Sequence, residues 1–330
     1  MTLRILFALL LATVAAPIGV PSAYAGNIER LQGERGRGSV GERHAWLIQK
    51  PASGVAYSGP CDVTPAAVHW WGLRAYCAAN IGTTILKVRR ASDSATQELV
   101  AMPDGSLDVA TATTFCAATT CHVESTVGLV DQTGNACDGA PCDLLQATAG
   151  LQPQLILGCT GLGASLPCIR FTAATGTCLV TANTSGVSYS QPLTYSVVTK
   201  MTFTVSSTSI VNNGTITVNP SLRIGTGAGL VRVNAGTNLA QSHTDQTWAS
   251  WQARFDGTNT VTRMNTAEVT GNAGTNGILD SARFAMGNST ACPAGAASTA
   301  DITEWGFYDF GFDATQRANM ETNQRNYWGF

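Results

Sequence analysis

Three carboxylates fall close together late in the chain, Asp301, Glu304 and Asp309, interleaved with Trp305 and Tyr308. An acid beside an aromatic ring suits sugar chemistry. The ring face packs against C–H bonds, and a carboxyl group can serve as proton donor or nucleophile at an anomeric carbon. In a regular strand, side chains an even number of residues apart share a face. That spacing pairs Asp301 with Asp309 and Glu304 with Tyr308. The three acids are the candidate catalytic residues, and Trp305 and Tyr308 are the candidate substrate-binding residues. The competing reading makes the acids acceptors for hydrogen bonds from a neighbouring loop. Asp245, Asp256 and Asp280 lie in or next to turns and read as structural. Asp131, in the run Asp131-Gln132-Thr133-Gly134-Asn135, reads as a turn shaper, with calcium binding as the alternative.

Other chemistries find less support. His44, His69, His122 and His243 are scattered without metal-ligand spacing, so no metal and no cofactor is expected. Gly225-Thr226-Gly227-Ala228-Gly229 opens no helix and reads as a turn rather than a phosphate cradle. Net charge is -2 with 12% charged residues, and lysine occurs only at positions 50, 87 and 200. Without a basic stripe, nucleic acid is excluded as a partner. Ten cysteines favour disulfides in an exported chain. Cys116 and Cys121, like Cys137 and Cys142, are spaced to close small loops, against a four-cysteine zinc site as the rival. Cys61 with Cys77 is a further candidate pair.

The elements that must position these residues begin after an N-terminal export signal. Arg4, the apolar run Ile5 to Val14 and Ala23-Tyr24-Ala25 make residues 1–25 a signal peptide. Residues 26–57 are charged and lack apolar periodicity, which predicts a flexible leader before a domain over 58–330. No later segment is long and apolar enough to span a membrane. Thr64-Pro65 predicts a helix running to about Asn80, with Val68, Trp71 and Tyr76 on a shared face. Ile85–Arg89 reads as a strand and Leu107–Phe115 as a short helix with Asp108 at its positive end. From Val127 the pattern is mostly β. Leu193–Val205 alternates, as does Trp251–Phe255. Asp256-Gly257 then predicts a tight hairpin, with Val261–Val269 returning as one strand. Ile302–Phe312 is an aromatic strand, and Asp313 with Gln316 predicts a capping box opening a helix that ends near Tyr327. Short strands at regular intervals predict an all-β, two-sheet sandwich or jelly roll with a few short helices. Asn183, Asn213 and Asn288 occupy glycosylation sequons.

Several of these segments carry a family resemblance. Gly59-Pro60-Cys61-Asp62, Leu73-Arg74-Ala75-Tyr76, Val88-Arg89-Arg90-Ala91-Ser92-Asp93-Ser94-Ala95-Thr96, Phe115-Cys116-Ala117-Ala118-Thr119-Thr120-Cys121 and Asp131-Gln132-Thr133-Gly134-Asn135 follow one another in order. Together they resemble the opening of the α-L-arabinofuranosidase B catalytic domain. The second half is more similar to a generic concanavalin A or laminin-G-like sandwich. The resemblance implies a concanavalin A-like two-sheet fold, a Cys116–Cys121 disulfide, and activity on arabinose-containing polysaccharide.

It also implies two carboxylates. The family's nucleophile follows a pair of adjacent cysteines in mid-domain. Here no cysteines are adjacent, and no Asp or Glu occurs between Asp143 and Asp245. The family's acid/base lies in a Gly-Asp-Asn-Ser stretch, whose counterpart Met286-Gly287-Asn288-Ser289 puts Gly287 in the acid's place. Two expectations stand side by side. One is a secreted, extracellular or periplasmic, glycoside hydrolase of this type that binds and cleaves arabinose-containing polysaccharide. The other is a catalytically inactive, lectin-like glycan-binding or adhesion module on the same scaffold.

Overall fold

Segments rich in Thr, Val and aromatic residues satisfy their backbone groups by pairing edge to edge, and all the named strand pairs are antiparallel. The computed structural model describes residues 56–163, 166–203, 208–214, 219–225, 229–288, 292 and 297–330. The expected signal peptide and nearly all of the expected leader lie outside the described residues. At the start of the domain, Tyr57 donates its hydroxyl proton to the Ala75 carbonyl and sets its ring edge-on to Tyr327.

Among the described residues an eleven-stranded sheet faces a seven-stranded one. The larger sheet is centred on Leu193–Thr202 and Thr299–Tyr308, and Trp248–Phe255 flanks the former. The smaller one runs Asn238–Ser242, Leu230–Asn234, Ser221–Ile224, Ser209–Asn213, Phe284–Met286, Leu179–Thr181 and Leu144–Leu145. Val197, Trp305 and Phe307 from the first meet Val211, Leu222 and Phe284 from the second in one buried core. The result is the all-β sandwich expected from the strand pattern.

Thr64–Asn80 is not a helix. His69–Gly72 is instead a strand paired with Thr299–Tyr308, and only three-residue 3-10 turns flank it, at Pro60–Asp62 and Ala78–Asn80. Strand alternation explains how consecutive tryptophans both reach zero exposure. Trp71 enters the inter-sheet core, while Trp70 joins Tyr76, Tyr308, Phe312 and Met320 on the outer face. Tertiary pairing overrides the local helix signal here. The Asp256-Gly257 hairpin is also longer than expected, because a 3-10 turn at Gly257–Asn259 intervenes. The returning segment is two strands, Thr260–Met264 and Ala267–Gly271, joined where Asn265 and Thr266 both take positive φ.

The remaining elements follow their local chemistry. Asp108 caps Val109–Phe115 by accepting from the Thr111 N–H at 2.9 Å. Asp313 and Gln316 form a reciprocal capping box at the start of the C-terminal helix Ala314–Trp328. That helix lies over the larger sheet with a largely polar underside. Gln324 accepts from Ser250 and Gln252 and donates to Ser196 Oγ at 2.9 Å. All ten cysteines form disulfides: 61–77, 116–121, 137–142, 159–168 and 178–292. The zinc alternative is thereby removed, since disulfide sulfurs are not thiolate ligands. Asn213 and Asn288 are completely buried, so of the three sequons only Asn183 retains an accessible side chain.

Candidate functional site

Thr299–Tyr308 carries the acids that the sequence pattern singles out, and its geometry decides what they do. Val198 pairs with Glu304 and Thr199 with Ile302, so Thr303 is an extra residue and the strand bulges. The bulge shifts the alternation by one. Ala300, Ile302, Trp305 and Phe307 all face the inter-sheet core, which turns Asp301 outward. Asp309 follows the strand's end and is exposed. The expected face-sharing of Asp301 and Asp309 therefore does not occur.

Asp301 is held by Arg170 through two hydrogen bonds, at 2.8 and 3.0 Å, and by Lys200 at 3.0 Å. Glu304 is completely buried and forms a two-pronged pair with Arg74, Nε to Oε2 at 2.6 Å and Nη2 to Oε1 at 2.9 Å. Burial by itself lowers the Arg74 pKa, but the charge of the Glu304 carboxylate and its hydrogen bonds to the guanidinium raise it overall. The Tyr327 ring caps the guanidinium at 4.6 Å. Trp305 packs against Trp71 with ring centroids 4.7 Å apart, and Tyr308 packs against Phe312 at 4.5 Å. Both have zero exposure. Neither ring offers a face to a sugar in this conformation, and Glu304 cannot reach one.

A different pair of acids shares a cleft of about 460 Å³ lined by Asp131, Asn135, Ala136, Ala140, Pro141 and Asp143. Asp131 shapes a turn, as its sequence context suggests, and does more. Its Oδ1 accepts from the Trp70 N–H, the Thr133 N–H and the Thr133 hydroxyl, and Oδ2 sits 2.6 Å from His69 Nδ1. These contacts come from donor groups and an imidazole rather than the oxygen cage that calcium requires. Asp143 accepts from the Asp131 N–H at 2.8 Å and is half-buried. Burial pushes its pKa up, and the neighbouring Asp131 charge pushes it further, against the lowering effect of that hydrogen bond. Behind them the Cys137–Cys142 disulfide lies 3.9 and 3.7 Å from His69 Nε2. Sequence reasoning missed both Asp143 and His69. The available signal was that Asp143 is the last acid before a long acid-free run.

At the place the resemblance reserves for an acid/base, Gly287 has φ of +82°, and a Cβ there would lie 2.0 Å from the Phe171 ring. An aspartate cannot occupy this position unless Phe171 moves. No strand of the seven-stranded sheet carries Asp or Glu.

Residues 59–153 match the family described as alpha-L-arabinofuranosidase B, catalytic. No curated protein matches the chain. Among solved structures, a GH54 α-L-arabinofuranosidase soaked with a cyclic sulfate inhibitor is similar at 16% identity and TM-score 0.63. An arabinofuranosidase complexed with arabinofuranosyl-α-1,2-xylobiose is similar at 15% identity and TM-score 0.62. Each alignment covers 81% of this chain and 64% of the other, so the chain spans less than two thirds of those enzymes' length. At such identities the likeness is one of fold. The described domain is an arabinofuranosidase-like β-sandwich.

The matched segment is dominated by scaffold contacts. Gln132 donates to the Gly72 and Arg74 carbonyls at 3.0 and 2.9 Å and accepts from the Tyr76 N–H at 2.8 Å. Thr133 and Asn135 both donate to the Val68 carbonyl. Asp93 accepts from Arg90 and the Ala95 N–H in the turn after Thr84–Arg90.

Two consequences can be measured. Gly287→Asp lowers stability by about 2 kcal/mol or more, read as a shift in urea midpoint, because both the backbone conformation and Phe171 oppose a side chain. A raised aspartate pKa makes its stabilising contribution fully present below the unfolded value and lost as pH climbs through the folded one. Asp143→Asn therefore gains stability relative to wild type on going from about pH 4 to about pH 7. An unchanged difference between the two urea midpoints would contradict the assigned environment.

Proposed function

We propose that this protein acts outside the cytoplasm on arabinose-containing polysaccharide, binding arabinofuranosyl groups in the Asp131–Asp143 cleft and cleaving them with Asp143 as proton donor. The observation that carries this reading is Asp143 itself, a half-buried carboxyl in a cleft, beside a second carboxylate, with its pKa pushed upward. A group that holds its proton longer than an ordinary aspartate suits protonation of a leaving sugar oxygen. The Asp131 carboxyl group, held in place by Trp70, Thr133 and His69, lies beside Asp143 in the same cleft. In the reaction the glycosidic C–O bond breaks, the leaving oxygen takes the Asp143 proton, and water adds to the anomeric carbon, giving its proton to the Asp143 carboxylate and restoring the acid. The family match over 59–153 and the fold likeness support the substrate class. Five disulfides support an oxidising compartment. Among the described residues no helix is long and apolar enough to cross a membrane.

A second reading, glycan binding without turnover, is favoured by one observation: Gly287 excludes the family's acid, and the smaller sheet holds none. Hydrolysis of an arabinofuranoside reporter, measured alongside retention on insoluble arabinan, separates the two. The proposal expects release above background that falls about 100-fold or more in Asp143→Asn. Release untouched by that substitution removes Asp143 from the chemistry. Retention without release selects the binding module, and neither activity overturns both readings.

A further inference from the structure

Strand pairing at the edge of the seven-stranded sheet builds a second cleft beside Asp143. Leu145 pairs with Val180, and Val180 with Ala285, while Leu179, Phe284 and Met286 point into the core. Alternation therefore turns Leu145, Val180 and Arg283 to the outer face. There they line an open cleft of about 250 Å³ together with Ser125, Ala182 and Cys292. Leu145 and Val180 are half-buried, and Ala182 and Arg283 are exposed. One wall is fixed by Gln146, whose amide donates to both sulfurs of the Cys178–Cys292 disulfide, at 3.2 and 2.8 Å. Arg283 makes no ion pair, hydrogen bond or ring contact with any described residue. Glu124, next to Ser125 in the chain, is spent on backbone, accepting from the Thr126 N–H at 2.6 Å and the Val127 N–H at 3.1 Å.

The cleft is in register with the proposed acid. Leu144 pairs with Thr181, and the Phe284 N–H donates to Thr181 Oγ1 at 3.1 Å. One step further along, the same register sets Asp143, Ala182 and Arg283 in a row. Two strand spacings of about 4.8 Å each put the Asp143 and Arg283 backbones about 10 Å apart, a separation that linked sugar units span. We propose that this cleft is a subsite for a uronic acid residue of the polysaccharide that the Asp143 cleft takes, with Arg283 holding its carboxylate and Leu145, Val180 and Ala182 lying under its ring. A guanidinium fork matches the paired oxygens of a carboxylate. The volume falls below the roughly 300–1,000 Å³ of pockets for drug-sized ligands, which suits a single sugar residue. The inference deepens the arabinose reading by naming uronate-bearing arabinose polysaccharide as the substrate, and it rests on that reading for the neighbouring sugar.

The experiment titrates the purified protein with an arabino-oligosaccharide carrying one glucuronate, and with the same oligosaccharide after its carboxyl group is reduced to the alcohol. The acidic form is expected to bind about fivefold tighter or more, with an advantage that shrinks as salt rises. Arg283→Gln is expected to remove that advantage, and Arg283→Lys to keep part of it. Because Arg283 is exposed, both variants are expected to keep the wild-type circular dichroism spectrum. Equal affinity for the two forms, or an acidic preference that survives Arg283→Gln, overturns the inference and leaves the arabinose reading standing. Acidic binding that Arg283→Gln abolishes, with no binding of the reduced form, supports the inference and removes the arabinose reading. Binding of neither form overturns both.

Discussion

The completely buried ion pair between Arg74 and Glu304 ties the opening segment of the domain to the central strand of the larger sheet. Two charges with no access to water persist only when each satisfies the other, and here the contact is two-pronged and roofed by Tyr327. Around it, Gln132 stitches Gly72, Arg74 and Tyr76 together, and Asp131 fixes the turn beside His69. The arrangement consumes the carboxylate best placed by sequence to act on a sugar. It leaves Asp143, at the edge of the same network, as the acid that faces open space.

The two sheets divide the electrostatic work unequally. The larger one binds three of its four strand acids to cations, Asp301 to Arg170 and Lys200, Glu304 to Arg74, Glu268 to Arg263 and Arg317, while Glu98 accepts from the Thr84 hydroxyl. The smaller one has no acid on its strands and sets two arginines side by side. The strands of the smaller sheet in this arabinofuranosidase-like scaffold are thus neutral to positive. Fold and chemistry separate here because strand pairing depends on alternation and burial, whereas catalysis depends on a few side chains that alternation leaves unconstrained.

Much of the architecture was legible from local chemistry. Asp313 and Gln316 announced the last helix, Asp108 announced the short one, and the spacing of Cys116 with Cys121 and Cys137 with Cys142 matched two of the disulfides. Thr64-Pro65 misled because pairing with the central strand, and two tryptophans needing opposite faces, outweighed a good helix start. The candidate site was less legible. A one-residue bulge at Thr303 undid the parity argument for Asp301 and Asp309, and no periodicity reports a bulge. The aromatic pattern around Trp305 and Tyr308 suggests sugar platforms, but their strand lies in the middle of the sheet with packing on both sides. His69 meets Asp131 across sixty-two positions, a juxtaposition that only the folded chain creates.

The most direct test of this account is a double-mutant cycle on Arg74 and Glu304, using methionine at each position and chemical denaturation as the readout. The structural role predicts that each single change costs about 3–5 kcal/mol, and that the double change recovers much of that loss. A Glu304→Met protein of unaltered stability that loses only its action on glycan would contradict it, and would return Glu304 to the chemistry.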